Sequence, residues 1–236
     1  MKKIALMACT AVLLIGGCSP KCIEDSGNQI ERTVKMDSFD EVSVSGTIKV
    51  VLKQDSSYLV RLQADSNVMK VITAKVSGHE LQLKLENGKY CGTDSIVVYV
   101  GLGELKRLKT DGMVRVTTDG LLNAADVEIN ASGSSDLSLN LNAAKLKTKI
   151  DGVGKLSLSG QAGTHELKTS GNVQVEAFNF VAGIYDINID GTGKANINVL
   201  NDLRVKTSGS SEIYYKGNPK NVKEKKSGAT KLEKVN

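Results

Sequence analysis

A glycine recurs along the second half of this chain at nearly constant spacing, and that period restricts the fold more than any other feature. Gly112, Gly133, Gly152, Gly171, Gly191, Gly209 and Gly228 are separated by 21, 19, 19, 20, 18 and 19 residues, and each follows Asp or Ser. On both sides of the glycine, small and branched residues alternate with polar ones, as in Leu146-x-Thr148-x-Ile150-Asp151-Gly152-x-Gly154-x-Leu156-x-Leu158. Period two means strands with one face inward. A unit of about 19 residues suits one coil of a β-solenoid, with neighbours paired in parallel and a glycine where φ > 0 or close stacking excludes a Cβ. The rival is a row of hairpins with Asp-Gly or Ser-Gly at each tip. In a two-residue hairpin, positions two before and two after the glycine would not share a face, whereas here the inward pattern runs through it unbroken. The spacing predicts an all-β parallel β-helix with coils of about 19 residues.

Composition points the same way. Only 4% of the 236 residues are aromatic, with no Trp, three Phe and six Tyr, so the core is built from thin layers of small and branched side chains rather than large rings. Residues 31–109 alternate less regularly, in segments such as Val42-x-Val44, Ile48-x-Val50-x-Leu52, Leu81-x-Leu83-x-Leu85 and Ile96-x-Val98-x-Val100. No Pro-rich or charge-rich linker separates them from the repeats. They read as the start of the same solenoid, with longer excursions and a capping role, which makes residues 31–236 a single domain.

The N-terminus has its own logic. Met1-Lys2-Lys3 is a charged start, Ile4 to Ile15 a short apolar stretch, and Ile15-Gly16-Gly17-Cys18 places small residues before a cysteine. The apolar run is too short to span a bilayer stably and reads as a signal peptide. Small residues before Cys resemble a bacterial lipobox, so residues 1–17 are expected to leave and Cys18 to be lipidated, with residues 18–30 as a tether. Acyl chains on Cys18 anchor the chain to a membrane, since each buried methylene adds about 0.8 kcal/mol. Cys22 and Cys91 then remain in a compartment where disulfides persist, either as a pair or as separate thiols.

The net charge of +5 sits at the two ends, in Lys2 and Lys3 and in the lysine-rich stretch from Lys220 to Lys234. A nucleic-acid partner is not expected, because the fold between lacks a basic stripe with interleaved aromatics. The lysine-rich end reads as a solvated last coil that caps the open β-edge, where lysines discourage strand addition. His79 and His165 lack neighbouring Cys or carboxylates in zinc-site spacing, so no metal and no cofactor is expected. Asp111, Asp151 and Asp190 form an acidic column with Ser132 and Ser170 between. Adjacent aspartates two strand spacings apart would be roughly 9.6 Å from each other, marginal for an inverting glycosidase only. Asp and Ser before Gly are favoured turn formers, and that reading accounts for every copy. Phe178, Phe180 and Tyr185 lie close in sequence, either as an aromatic platform for a sugar or partner or as core filling.

The stretch Ser38-Phe39-Asp40-Glu41-Val42-Ser43-Val44-Ser45-Gly46-Thr47-Ile48-Lys49-Val50-Val51-Leu52-Lys53-Gln54 resembles the opening of the putative auto-transporter adhesin, head GIN domain family of bacterial envelope proteins. The Leu81 to Leu85 segment, Val97-Val98-Tyr99-Val100 leading to Leu105, the serial Ser-Gly and Asp-Gly turns and the ending Ile213-Tyr214-Tyr215-Lys216-Gly217-Asn218-Pro219 fit the same family. The resemblance implies a right-handed parallel β-helix behind a lipoprotein or secretory leader, with an adhesin-like role and no active-site residues. The expectation is a lipid-anchored, non-enzymatic envelope protein, an outer-membrane lipoprotein facing either the periplasm or the surface, that binds glycan or protein through a β-helix face. Two other classes stay open: a polysaccharide lyase or inverting hydrolase on the same scaffold, and a structural periplasmic lipoprotein.

Overall fold

The computed structural model describes residues 22–86, 90–93 and 95–236; the leader and Cys18 lie outside them. Nine strands form one mixed sheet: β1 (Gln29–Lys35), β2 (Glu41–Gln54), β3 (Leu59–Asp65), β4 (Ile72–Ser77), β5 (Glu80–Leu85), β6 (Val97–Leu102), β7 (Arg107–Thr118), β8 (Leu122–Lys216) and β9 (Asn221–Lys234). A single 3₁₀ turn, Val68–Lys70, is the only helix among the described residues.

The long repeats pair in parallel. β2 runs beside β7, β7 beside β8 and β8 beside β9, and the register sets Gly46 against Gly112, Gly112 against Gly133 and Gly209 against Gly228. Within the 95-residue β8 the same contact continues. A Cβ added to Gly133 would lie 2.8 Å from the carbonyl oxygen of Gly112, and at Gly152, Gly171, Gly191 and Gly209 it would meet the carbonyl of the preceding glycine of the series just as closely. These glycines also have positive φ, between 79° and 117°, which side chains other than Gly rarely adopt. Two independent constraints thus fall on one column.

The inward rows are the alternating residues seen in the sequence. Leu146, Thr148, Ile150, Leu156 and Leu158 are all buried, as are Leu203, Val205, Thr207 and Ile213 in the last full layer. Across the lumen the residues two before and two after each glycine share space. Where Ile occupies the first position, at Ile150 and Ile189, the second is Gly154 or Gly193, and a Cβ there would come within 2.7 and 3.0 Å of the isoleucine Cγ2. Where the first position is smaller, as at Thr110 and Ala131, the second is Val114 or Ser135.

The expected start of the solenoid at residues 31–109 is corrected in part. β2 belongs to the parallel stack, but β1 pairs antiparallel with β3, β3 with β6 and β4 with β5. β5 and β6 cover successive halves of one edge of β2, along residues 41–45 and 49–54. The hairpin geometry rejected for the repeats occurs here, because Ser77 faces Glu80 across Gly78-His79 and Gly78 has φ 62°. A Cβ at Gly78 would meet nothing within 4 Å. Turn glycines and stacking glycines therefore share a sign of φ but differ in crowding. The cap is tied down by the buried Asp65, whose carboxylate accepts from the Ser26 N–H and hydroxyl at 2.8 Å and from the Asn67 N–H at 2.8 Å.

The lumen pairing makes a direct prediction. Gly154→Ala lowers unfolding stability by about 1–3 kcal/mol through overpacking against Ile150. Combined with Ile150→Ala, it costs less than the two single changes added together, read by denaturant unfolding of the four proteins of the cycle.

Candidate functional site

A groove of about 740 Å³ on the outward face follows the glycine column near the N-terminal end of the stack. Its floor is made by residues one and three beyond successive glycines, among them Met113, Ser134, Val153, Lys49, Arg115 and Lys155. Strand parity aims these side chains outward. Met113 and Val153 are 63% and 60% exposed, more than the other apolar residues that reach the surface, Leu200, Val222, Leu59, Leu121 and Ile30. Arg115 Nε donates to Asp136 at 2.9 Å.

One wall is the segment around Tyr90 to Ile96, and the chain's N-terminal end holds it in place. Ile23 bridges Tyr90 in parallel, the Cys91 N–H donates to the Ile23 carbonyl at 3.0 Å, and Cys22 is joined to Cys91 by a disulfide with Cα atoms 5.7 Å apart. The Asp25 carboxylate accepts from the Tyr90 hydroxyl at 2.5 Å and from the Thr93 N–H at 2.8 Å. Gly92 leaves room for that carboxylate, since a Cβ would collide with it. On the other side, Lys49 donates to the Ser95 hydroxyl at 2.7 Å. The groove is thus a fixed channel between a rigid sheet and a disulfide-pinned strap, lined by hydroxyls, amides, cations and two exposed apolar side chains.

The three aromatic candidates separate. Phe180 and Tyr185 have no exposed surface and pack against His165, Phe180 edge-on and Tyr185 tilted, with ring centroids 5.7 and 4.7 Å away. They fill the core and cannot form a platform with Phe178, because the inward alternation that buries Val173, Val175 and Ala177 shifts by one at Phe178 and resumes with Phe180 and Ala182 in the lumen. Phe178 points outward, with the Lys216 ammonium 5.0 Å from its ring centre. Lys194 and Lys231 flank Tyr214 in the same way at 5.5 and 5.0 Å.

His165 is wholly buried, takes part in one hydrogen bond with the Thr148 hydroxyl at 3.0 Å, and has no partner at Nδ1. Burial lowers its pKa to about 3, so it stays neutral, and with no exposed surface it meets no ligand. His79 is exposed at the β4–β5 turn. The acidic column lies on an open outward row, where Ser132 donates to Asp111 at 2.8 Å and Ser208 to Asp190 at 2.6 Å. Serines between aspartates keep like charges two layers apart, and Asp151 pairs with Lys149 at 2.8 Å; the serine–aspartate contacts run between neighbouring layers within the strands rather than inside turns. Among the described residues no three metal-ligating side chains cluster.

Sequence reasoning missed the groove. Its available signal was an apolar residue at outward parity directly after a repeat glycine, as in Gly112-Met113 and Gly152-Val153, but the wall comes from a distant segment that spacing does not place.

Two outcomes follow from these contacts. The folded-state pKa of His165, about 3, lies below the unfolded value of about 6.5. Between the two, the unfolded chain carries a proton that the folded one lacks. Stability contributed by neutral His165 is therefore fully present above pH 6.5 and falls as pH drops toward 3, by up to ~1.4 kcal/mol per unit. His165→Leu removes this part of the slope in chemical unfolding measured across that range. The disulfide closes a separation of 69 residues, for which unfolded-chain entropy gives about 4 kcal/mol. Replacing Cys22 and Cys91 together by Ala lowers stability by up to that amount and opens the segment around residue 90 to limited proteolysis.

Comparison with known proteins agrees with this architecture. A crystal structure of a putative adhesin from Bacteroides fragilis superposes with a TM-score of 0.85 at 21% identity, covering 90% of this chain and 100% of its own. A putative lipid binding protein from Parabacteroides distasonis matches with a TM-score of 0.73 at 21% identity over 92% and 100% of the two chains. A putative adhesin from Parabacteroides merdae gives 0.65 at 20% identity over 91% and 99%. At such identities the likeness shows the fold. A search of curated proteins found no match. The family and the disulfide together indicate an extracytoplasmic protein. The model of the family described as putative auto-transporter adhesin, head GIN domain, matches residues 38–219, and the chain belongs to that family.

Proposed function

We propose that this is a lipid-anchored, non-enzymatic protein of the bacterial cell envelope that binds an extended glycan or protein segment in the groove beside the strap. The scaffold in this reading is one right-handed β-helix domain in which β2, β7, β8 and β9 stack in parallel coils of about 19 residues, closed at its N-terminal end by the antiparallel strands, behind the leader 1–17 and a tether that begins at Cys18. Support for the coil length comes from parallel registers offset by 21 residues between Gly112 and Gly133 and by 19 between Gly209 and Gly228.

The observation that carries the binding role is the pair of exposed apolar side chains, Met113 and Val153, in a channel edged by Lys49, Arg115 and Lys155. Apolar floor with polar and cationic rims is the chemistry of a recognition surface. The role of a lyase or hydrolase is disfavoured by its candidate acids, which occupy an open row with serine partners rather than a cleft. Lipidation of Cys18 would place the strap end of the domain next to the membrane, because the tether enters the fold at Cys22.

Protease treatment of intact, lysis-controlled cells tests the reading. Loss of the domain beyond Cys18 is the expected result, with Cys18→Ala releasing the chain from the membrane fraction. Resistance in intact cells, with digestion after permeabilisation, would place the domain in the periplasm and leave the structural lipoprotein as the better account.

A further inference from the structure

The far end of the stack carries a charge arrangement that the near end avoids. On the outward row five residues before the glycine, the proximal layers alternate in sign. Arg107 is register partner to both Glu41 and Glu128 and contacts their carboxylates at 2.8 and 3.5 Å. At the distal end, the β8–β9 register instead sets Arg204 opposite Lys223 and Lys206 opposite Lys225. Leu203, Val205 and Thr207 point into the core, so Arg204 and Lys206 project outward, and all four cations are exposed. They form a rectangle about 4.8 Å across the strands and about 6.6 Å along them.

Like charges directly opposite on neighbouring strands are destabilising, and little offsets them here. Asp186 stands 3.9 Å from Arg204, and Asp202 accepts from the Asn221 side-chain amide at 2.7 Å. Among the described residues, Lys206, Lys223 and Lys225 have no carboxylate within ion-pair distance. The sequence reads these lysines as a solvated end; only the register shows that they meet cations of the preceding layer.

We propose that this distal rectangle is a binding site for an acidic polysaccharide, a chain bearing carboxylate or sulfate groups. A linear polyanion presents negative groups at a regular repeat, and two parallel strands present cations at a regular repeat. Ser227, two residues beyond Lys225 on the same strand, adds a hydroxyl of the kind that bonds sugars, while its register partner Ser208 donates to Asp190. The row carries no aromatic residue on which nucleic-acid bases would stack. Seven layer steps from Gly46 to Gly228 put this site roughly 34 Å from the strap end. The inference rests on the proposed anchoring only for the direction in which the tip faces.

Binding of the full chain, in detergent, to immobilised heparin, polygalacturonate, dextran and single-stranded poly(U) RNA tests it. The expected result is binding to heparin or polygalacturonate, none to dextran, and affinity that falls with salt as counterions are released. Lys206→Gln with Lys225→Gln weakens that binding at least tenfold while leaving the melting temperature unchanged or higher. Lys109→Gln with Lys149→Gln, a change of equal charge elsewhere on the same row, weakens it less than twofold. Equal losses in the two double variants would reduce the effect to diffuse charge and overturn the site. Binding to neither acidic polysaccharide would overturn it as well, as would tighter binding to poly(U) through Lys206 and Lys225. None of these readouts depends on Cys18 or on cell-surface exposure, so failure of the anchoring proposal stays separate.

Discussion

The close passage of one glycine over the carbonyl of another is the contact on which the rest depends. Gly133 rests on Gly112, and the series continues through Gly228. A Cβ at these positions would have to overlap a backbone oxygen, and the positive φ would strain any side chain besides. Because the contact is backbone to backbone, it fixes the vertical register of every layer at once. A slip of one residue would move every inward leucine, isoleucine and valine to the outside.

Once register is fixed, the side chains on either side of the glycine have settled neighbours, and the composition can be understood row by row. Inward rows trade volume across the lumen, with Gly154 opposite Ile150 and Gly193 opposite Ile189. The outward row just before the glycine alternates serine and aspartate from Ser45 to Ser208, so that carboxylates are separated by hydroxyls, two of which bond Asp111 and Asp190. The two ends are closed differently. Antiparallel hairpins and the Cys22–Cys91 strap cover the first layer. The last strand turns Glu224 and Lys226 toward the open core, where they pair at 2.8 Å. Inward charge on an edge strand discourages another chain from adding to it.

The chain belongs to the putative adhesin family, and family and disulfide together indicate an extracytoplasmic protein, while the solved structures share its fold. The scaffold itself supplies rigidity and repetition rather than chemistry. Its polar buried groups illustrate the point: His165 is held neutral by desolvation, and Tyr185 carries a hydroxyl without a partner in the lumen. In the proposed reading, recognition uses the outward rows and what the cap adds beside them.

The sequence by itself determined the strands and the glycine column, because period-two burial and the need for a missing Cβ are local demands written at each repeat. It also determined that Leu146 through Leu158 face inward. It left Cys22 and Cys91 as either a pair or two thiols, and it left Phe178, Phe180 and Tyr185 undivided. Only the tertiary structure brought residues 22 and 91 together, sent Phe180 and Tyr185 into the lumen and Phe178 outward, and built a groove wall from a segment far from its floor. The same holds for the antiparallel cap, where irregular spacing in residues 31–109 carried no repeat to extend. Those outcomes depend on which segments meet across long separations, and alternation along a strand carries no information about its partner.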